Sequence, residues 1–458
     1  MQGSLRDSSV NGRKWTLHRS LNAVFGVAVG VGSMVGVGIL RVPGVVFEHV
    51  GSASAAMLVW IAGAAYVLLC VNYMSELGTA IPRSGGPYAF AQRALGRPGA
   101  IVVGWSDFMN SVYAMALLAV ALAEYTGQLL PSVPLQTPAV AVLLLGVFTT
   151  INAIGVDVAS GTQKLTSLIK LIALWSLVAS CLFFAPARPE PSSELSSALE
   201  YGVTALGAIA AFQLVLGAFN GWAAPAYFGG EARSARSIPR ALLVGALLVS
   251  ITYLGVNLAV FHAVPVDVLA SSKLPVADAL ERLTVAHGWE IGAGASLVTL
   301  LVVLSLPSTL HAVTMQTSRT FHAMSQDALF FRWAARVNRR GSPVNATLIC
   351  GAVAALLAMS NDFEVLFKTF TVFAVLNNLI MLCAVVRLRM TEPDLPRPFR
   401  VIGYPWALIP VVIVDCAVFV GFAAAHPWQS LAGVLVITAL YVAYHVYGSK
   451  VPGSTEAY

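Results

Sequence analysis

Apolar stretches of roughly 20 residues recur along the whole chain, and each is long enough to cross about 30 Å of hydrocarbon at about 1.5 Å per residue. Backbone in hydrocarbon must satisfy its own hydrogen bonds, and a helix does so within one segment. Twelve stretches are read as spans, at 21–47, 53–81, 101–129, 138–154, 163–185, 203–229, 240–264, 289–322, 344–358, 363–386, 406–425 and 428–447. Composition points the same way. Of 458 residues, 57% are hydrophobic and 10% charged, and mean hydropathy is +0.78, whereas a soluble domain carries about a quarter charged residues. The expected class is an all-α integral membrane protein with twelve transmembrane helices, whose first partner is the lipid bilayer.

The formal charge of +6 reads as topology rather than as a nucleic-acid surface. With the N-terminus inside, twenty Lys and Arg residues fall on the cytoplasmic side and only Arg188, Lys273 and Arg282 outside. That bias places both termini in the cytoplasm of a multi-pass cell (inner) membrane protein. Residues 1–20 are then a cytoplasmic N-terminal segment and 448–458 a cytoplasmic tail. The polar start and the long apolar run after it predict no cleaved targeting segment. Cys70, Cys181, Cys350, Cys383 and Cys416 all lie in apolar stretches without metal-ligand spacing, so neither a disulfide framework nor a metal site is expected.

Two spans are poor helices at their centres. Span 1 holds Gly26, Gly30, Gly32, Gly36 and Gly38, followed by Arg41, Pro43 and Gly44, which predicts a break near 36–38. Span 6 holds Gly217, Ala218, Phe219, Asn220, Gly221 and Trp222, followed by Pro225, Gly229 and Gly230. Interrupted helices five spans apart point to an inverted-repeat transporter with its site near the bilayer midplane. Freed N–H groups at Val37, Gly38 and Ile39 would meet a carboxylate at the positive end of a helix dipole. Freed carbonyls at Met34, Gly217, Ala218 and Asn220 would meet an ammonium group, with Gly36, Phe219 and Trp222 as pocket or gate. Each charge-assisted hydrogen bond there is worth about 1.5–3 kcal/mol. The alternative is that these glycines only allow close helix packing.

Four ordered stretches carry a family resemblance: Gly32-Ser33-Met34-Val35-Gly36-Val37-Gly38-Ile39; Glu76 through Tyr88, reading ELGTAIPRSGGPY; Gly221-Trp222 with Gly230-Glu231 and Ile238-Pro239-Arg240; and Arg387-Leu388-Arg389 with Pro393-Asp394, Arg397-Pro398 and Gly403-Tyr404-Pro405. The chain resembles the amino acid-polyamine-organocation superfamily, particularly bacterial permeases related to the L-type exchangers. The resemblance implies a leucine-transporter-type fold of 5+5 inverted repeats. They would occupy 21–185 and 203–386, with two peripheral helices at 406–447. It also implies that Lys170 occupies the place of sodium in sodium-driven cousins, bridging the first-helix break and hydroxyls of span 8, of which Thr309 is the first candidate and Ser305 and Ser308 the others. The alternatives are a proton site at the same residues and a lysine snorkelling to the cytoplasmic surface. Where large-neutral-amino-acid relatives often carry an aromatic gate, five residues before the Trp of span 6, this chain has Gly217, with Phe219 as a substitute lid. In animal exchangers a heavy subunit attaches by a disulfide after the third helix. The loop 130–136 has no cysteine, so no disulfide-linked heavy subunit is expected. A homodimer is neither required nor excluded.

The remaining intramembrane polar residues receive local readings. Arg41 is expected to pair with Glu48 or to face the outer vestibule. Arg319 is expected to snorkel or to form a helical ion pair, and Lys368 to do likewise beside Glu364. His311 reads as a satisfied core histidine or a proton relay, and Asn377 and Asn378 as pocket lining or interhelical glue. Asp415 has no assigned role. No nucleotide loop, G-x-S-x-G or H-E-x-x-H motif is present, so the chain does not read as an enzyme, and no cofactor is called for. The expected function is a sodium-independent exchanger of small or neutral L-amino acids working by alternating access. The rivals are a proton-coupled symporter, a cationic amino acid or polyamine antiporter, and a channel or transport-like receptor.

Overall fold

The computed structural model describes residues 17, 19, 21–130, 132–133, 136–186, 205–234, 236–265, 268–269, 272, 274–359, 363–425 and 427–447. Most of the expected cytoplasmic ends, 1–20 and 448–458, therefore lie outside the described residues, as do the side chains of Glu364 and Lys368. The described residues form fourteen α-helices: α1 (Ala23–Met34), α2 (Gly38–Val50), α3 (Ala53–Ala80), α4 (Pro87–Leu129), α5 (Thr137–Ile154), α6 (Val156–Phe184), α7 (Ala205–Ala218), α8 (Ser237–Ala263), α9 (Pro275–Ala286), α10 (Ala293–Gln326), α11 (Val344–Ala358), α12 (Phe363–Thr391), α13 (Ile409–Ala425) and α14 (Pro427–Tyr447). Among these residues the only β pairing is two isolated bridges.

Six helices, α3 to α6, α8 and α10, are each long and apolar enough to cross a membrane, and the α1–α2 pair, bent by 49°, passes as a seventh. Residues 207–218, α11 and 406–421 are shorter apolar helical segments. The protein is a multi-pass membrane protein by these segments.

The helix ends follow local chemistry. Asn22 Oδ1 accepts the N–H of Phe25 at 3.0 Å and Ser52 Oγ that of Ala55 at 3.1 Å, capping α1 and α3. Gly51 closes α2 with φ 71°, the left-handed conformation typical after a helix. Span 3 begins earlier than its apolar stretch: α4 runs back to Pro87 and kinks at Gly96, where φ is 69° and Pro98 follows.

Helix α8 packs on α1 and α3, α1 on α6 and α10, and α2 on α7, while α4 packs on α10 and α12. The shared core lies where α1–α2 crosses the end of α7. Small residues permit the crossing: a Cβ on Gly38 would sit 3.2 Å from Ala218 Cα, and one on Gly221 would sit 2.7 Å from the Ser33 carbonyl.

Candidate binding site at two helix breaks

In the first break Val35 is extended (φ −80°, ψ 97°) and helix resumes at Gly38. The interruption covers 35–37, one residue earlier than the glycine pattern suggests, because Val35 turns its carbonyl sideways instead of along the helix. In the second, α7 ends at Ala218, a turn follows, and Gly221 takes φ 97°. Asn220 Oδ1 accepts the Gly221 N–H at 2.9 Å, and the chain continues through two 3-10 turns, Ala224–Tyr227 and Gly229–Glu231.

Lys170 sits opposite the first break. It is fully buried on α6, and its Nζ donates to the carbonyls of Gly32 at 3.0 Å and Val35 at 2.5 Å and to Thr309 Oγ1 at 2.8 Å. Thr309 in turn donates to Val35 O at 2.8 Å. An ammonium at mid-membrane costs about 2.5–3.5 kcal/mol on insertion scales, and three oxygen acceptors at about 1.5–3 kcal/mol each offset that. Ser308 is not among the partners of Lys170. Its Oγ lies 3.1 Å from Gln163 Nε2 and 2.9 Å from Ser167 Oγ, in a second polar knot that also holds Ala28 O. Ser305 is buried one turn before Thr309 and does not reach Lys170.

The carbonyls expected to meet an ammonium group have neighbours that apolar periodicity does not reveal. Tyr253 Oη on α8 lies 2.9 Å from both Met34 O and Ala218 O, so one hydroxyl ties the two breaks together. The Gly217 carbonyl accepts the Asn220 N–H at 3.2 Å. Each carbonyl retains a second lone pair. The N–H groups of Gly38 and Ile39, in the first turn of α2, have no partner within their helix. A Cβ added at Gly36 or Gly217 would find nothing within 4 Å, so both glycines adjoin open space. Phe219 is 1% exposed, held against Trp60 and Tyr253 with ring centroids at 6.1 and 4.9 Å. Trp222 packs edge-on to Tyr73 at 6.0 Å. Ser33, inside α1, accepts from Gln316 Nε2 at 2.5 Å. Tyr253 and Gln316 are the residues a pattern search passes over; their one signal is a polar tip inside an apolar span.

The end of the bundle that the charge bias assigns to the cytoplasm is tied by carboxylates. Arg319, expected to snorkel or to pair along its own helix, is instead half of a buried pair with a distant residue: Nε and Nη2 each reach a Glu231 oxygen at 3.0 Å, with the side chains 1% and 0% exposed. Arg83 forks onto Asp327 at 2.7 and 2.8 Å, and Tyr88 Oη joins at 2.7 Å. Asp107 accepts from Tyr227 at 2.6 Å and from Thr320 at 2.8 Å. Glu76 takes Arg389 at 2.9 and 2.5 Å. The motif loop after α3 owes its glycines to this end. Gly85 and Gly86 have φ 112° and 53°, and a Cβ on Gly86 would strike the Tyr227 ring at 2.8 Å. Of the two readings of Arg41, pairing with Glu48 is not what is seen: it is exposed and donates to Tyr125 Oη at 3.0 Å. His311 is a satisfied core histidine. Its Nε2 donates to Ala159 O at 2.9 Å, which leaves Nδ1 to accept from Asn152 at 3.0 Å.

Two interrupted helices cross beside a buried ammonium, and comparison with known proteins gives the arrangement a family. A model described as amino acid permease matches residues 21–446. The chain belongs to the amino acid permease family. It is 25% identical over 446 residues to the b(0,+)-type amino acid transporter 1 of Mus musculus, covering 94% of this chain and 88% of that protein. An uncharacterized transporter of Mycobacterium tuberculosis is 29% identical, covering 94% and 91%. The serine/threonine exchanger SteT of Bacillus subtilis is 24% identical over 318 residues, covering 68% and 69%. The family and these relatives are transporters, not enzymes.

Proposed function

We propose that this amino acid permease is a sodium-independent exchanger of small or neutral L-amino acids, working by alternating access. The carrying observation is the Lys170 ammonium on two break carbonyls and Thr309: a fixed internal cation beside the first break removes the need for a bound metal ion there. In this reading the N–H groups of Val37, Gly38 and Ile39 take the substrate carboxylate, and Met34, Gly217, Ala218 and Asn220 offer carbonyl lone pairs to its amine. Trp222 and Phe219 shape the wall, and Gly36 leaves room. Twelve spans arranged as repeats 21–185 and 203–386, with both termini cytoplasmic, complete the proposed architecture. It has the pairing of broken helices expected of an inverted repeat.

Neutral substrates are favoured by where the carboxylates go. Glu76, Asp107, Glu231 and Asp327 are each engaged away from the breaks, so none of these four stands ready for a second positive charge on the cargo. The names of the relatives, a b(0,+)-type amino acid transporter and a serine/threonine exchanger, agree with amino acid cargo.

The test is counterflow in proteoliposomes holding the purified chain. Labelled alanine, serine or leucine should enter only against internal unlabelled amino acid. The initial rate should be unchanged when choline replaces sodium. Strict sodium dependence, or uptake that ignores internal substrate, overturns the reading.

A further inference from the structure

Asp415 lies on α13, away from both breaks, and is 4% exposed. Its partners are neutral. Tyr66 Oη donates to Oδ1, and Asn378 Nδ2 donates to Oδ2 at 2.6 Å. The same amide nitrogen reaches Tyr66 Oη at 3.0 Å, while Tyr73 Oη donates to Asn378 Oδ1. Cys70, fully buried on the same face of α3 between the two tyrosines, adjoins the cluster. These groups come from α3 and α12, which pack against α13 together with α14 and the 3-10 turn Trp406–Leu408; neither of the latter gives Asp415 a partner among the described residues. Tyr66, Cys70 and Tyr73 are their titratable members, and among the described residues no Arg, Lys or His is a partner. A carboxylate inside a membrane helix without a cation is a functional site by default, because its charge is compensated only by dipoles.

The hydroxyl hydrogens of Tyr66 and Tyr73 and the two amide hydrogens of Asn378 each have one acceptor. A protonated carboxyl is a donor as well as an acceptor: an O–H formed on the Oδ1 lone pair that Tyr66 fills displaces the Tyr66 O–H from that line. Tyr66 packs edge-on to Phe212 of α7 at 6.2 Å, and Tyr73 to Trp222, just past the second break, at 6.0 Å. Both sides of the interrupted span thus rest on tyrosines of this cluster.

We propose that Asp415 is a proton-binding site whose occupancy, relayed by Tyr66 and Tyr73, biases the position of α7 and the segment beyond its break. The ligand is the hydrogen ion itself, taken from water and returned to it with no other group consumed. The site is distinct from Lys170, which touches α1 and α10. The claim rests on the transport reading for its flux readout alone, so the test pairs flux with a readout that does not.

On acidification from about pH 8 to about pH 5.5, pH-difference infrared spectra of the purified protein should show a protonated-carboxyl band that Asp415→Asn lacks. Counterflow should change several-fold over the same range in the parent and lose most of that variation in Asp415→Asn. Identical spectra for the two proteins, or an unaltered pH profile in the variant, overturns the proposal. If Asp415→Asn does not fold, Tyr66→Phe serves. Loss of one donor to the charged form should move the midpoint of the carboxyl band to less acid pH, and an unmoved midpoint overturns the proposal. A band that responds to Asp415→Asn in protein that shows no counterflow would sink the transport reading and leave the proton site standing.

Discussion

Among the described residues Lys170 makes no contact with a carboxylate; its three partners are two carbonyls and a hydroxyl. Lys170→Met removes the charge and keeps most of the volume, leaving Gly32 O and Val35 O without a cation. Losing charge-assisted bonds of about 1.5–3 kcal/mol each should lower counterflow at least about tenfold, with the variant still monodisperse in detergent. Wild-type rates in that variant would remove Lys170 from the transport cycle. Gly217 has open space where a side chain would stand. Gly217→Phe is expected to narrow the accepted amino acids, losing the bulkier ones first, and an unchanged substrate panel would take Gly217 out of the pocket. At Glu231 the expectation concerns stability. Glu231→Gln strands the buried Arg319 charge, and the loss should be about 3–5 kcal/mol, read as a clearly lower melting temperature of the purified protein. A variant that melts with the parent would mean that water reaches Arg319.

At the scale of elements, the two breaks differ in what holds them. Gly221 combines φ 97° with the Ser33 carbonyl 2.7 Å from where a Cβ would go, whereas Gly36 has open space and no left-handed backbone. Gly221→Ala should therefore destabilise by about 1–3 kcal/mol, while Gly36→Ala should melt within about 1 kcal/mol of the parent. Equal effects would show that the crossing is not set by Gly221. The breaks were legible in the sequence because glycine clusters and a following proline weaken helices wherever they occur. The need of Lys170 for oxygen partners was legible too, since a lone ammonium in hydrocarbon must find some. What composition could not supply was partner choice. Arg319 reads as an end-of-helix residue until Glu231, 88 positions earlier, is folded back against it. Tyr253 reads as one more aromatic until its hydroxyl meets Met34 and Ala218. Ser308 and Thr309 are adjacent in sequence yet face different polar knots, because neighbours on a helix point about 100° apart.

For the whole molecule, five cysteines stand free, three buried and two exposed, and none lies in the loop after α4. The purified chain reconstituted alone is expected to catalyse counterflow; activity that appears only after a second subunit is added would overturn that expectation. The ion pairs are unevenly shared between the two ends of the bundle. One end is bound by the Arg319–Glu231, Arg83–Asp327 and Arg389–Glu76 pairs, the first without contact with water. In the proposed alternating-access cycle, opening that end rehydrates the dry Arg319–Glu231 pair, a step with no counterpart at Arg41, which leans on a tyrosine hydroxyl. The two halves of that proposed cycle are therefore expected to be kinetically unequal. Substrate offered from the side of the dry pair is expected to find that end shut most of the time, and the half-saturation concentration measured from that side should be the higher of the two.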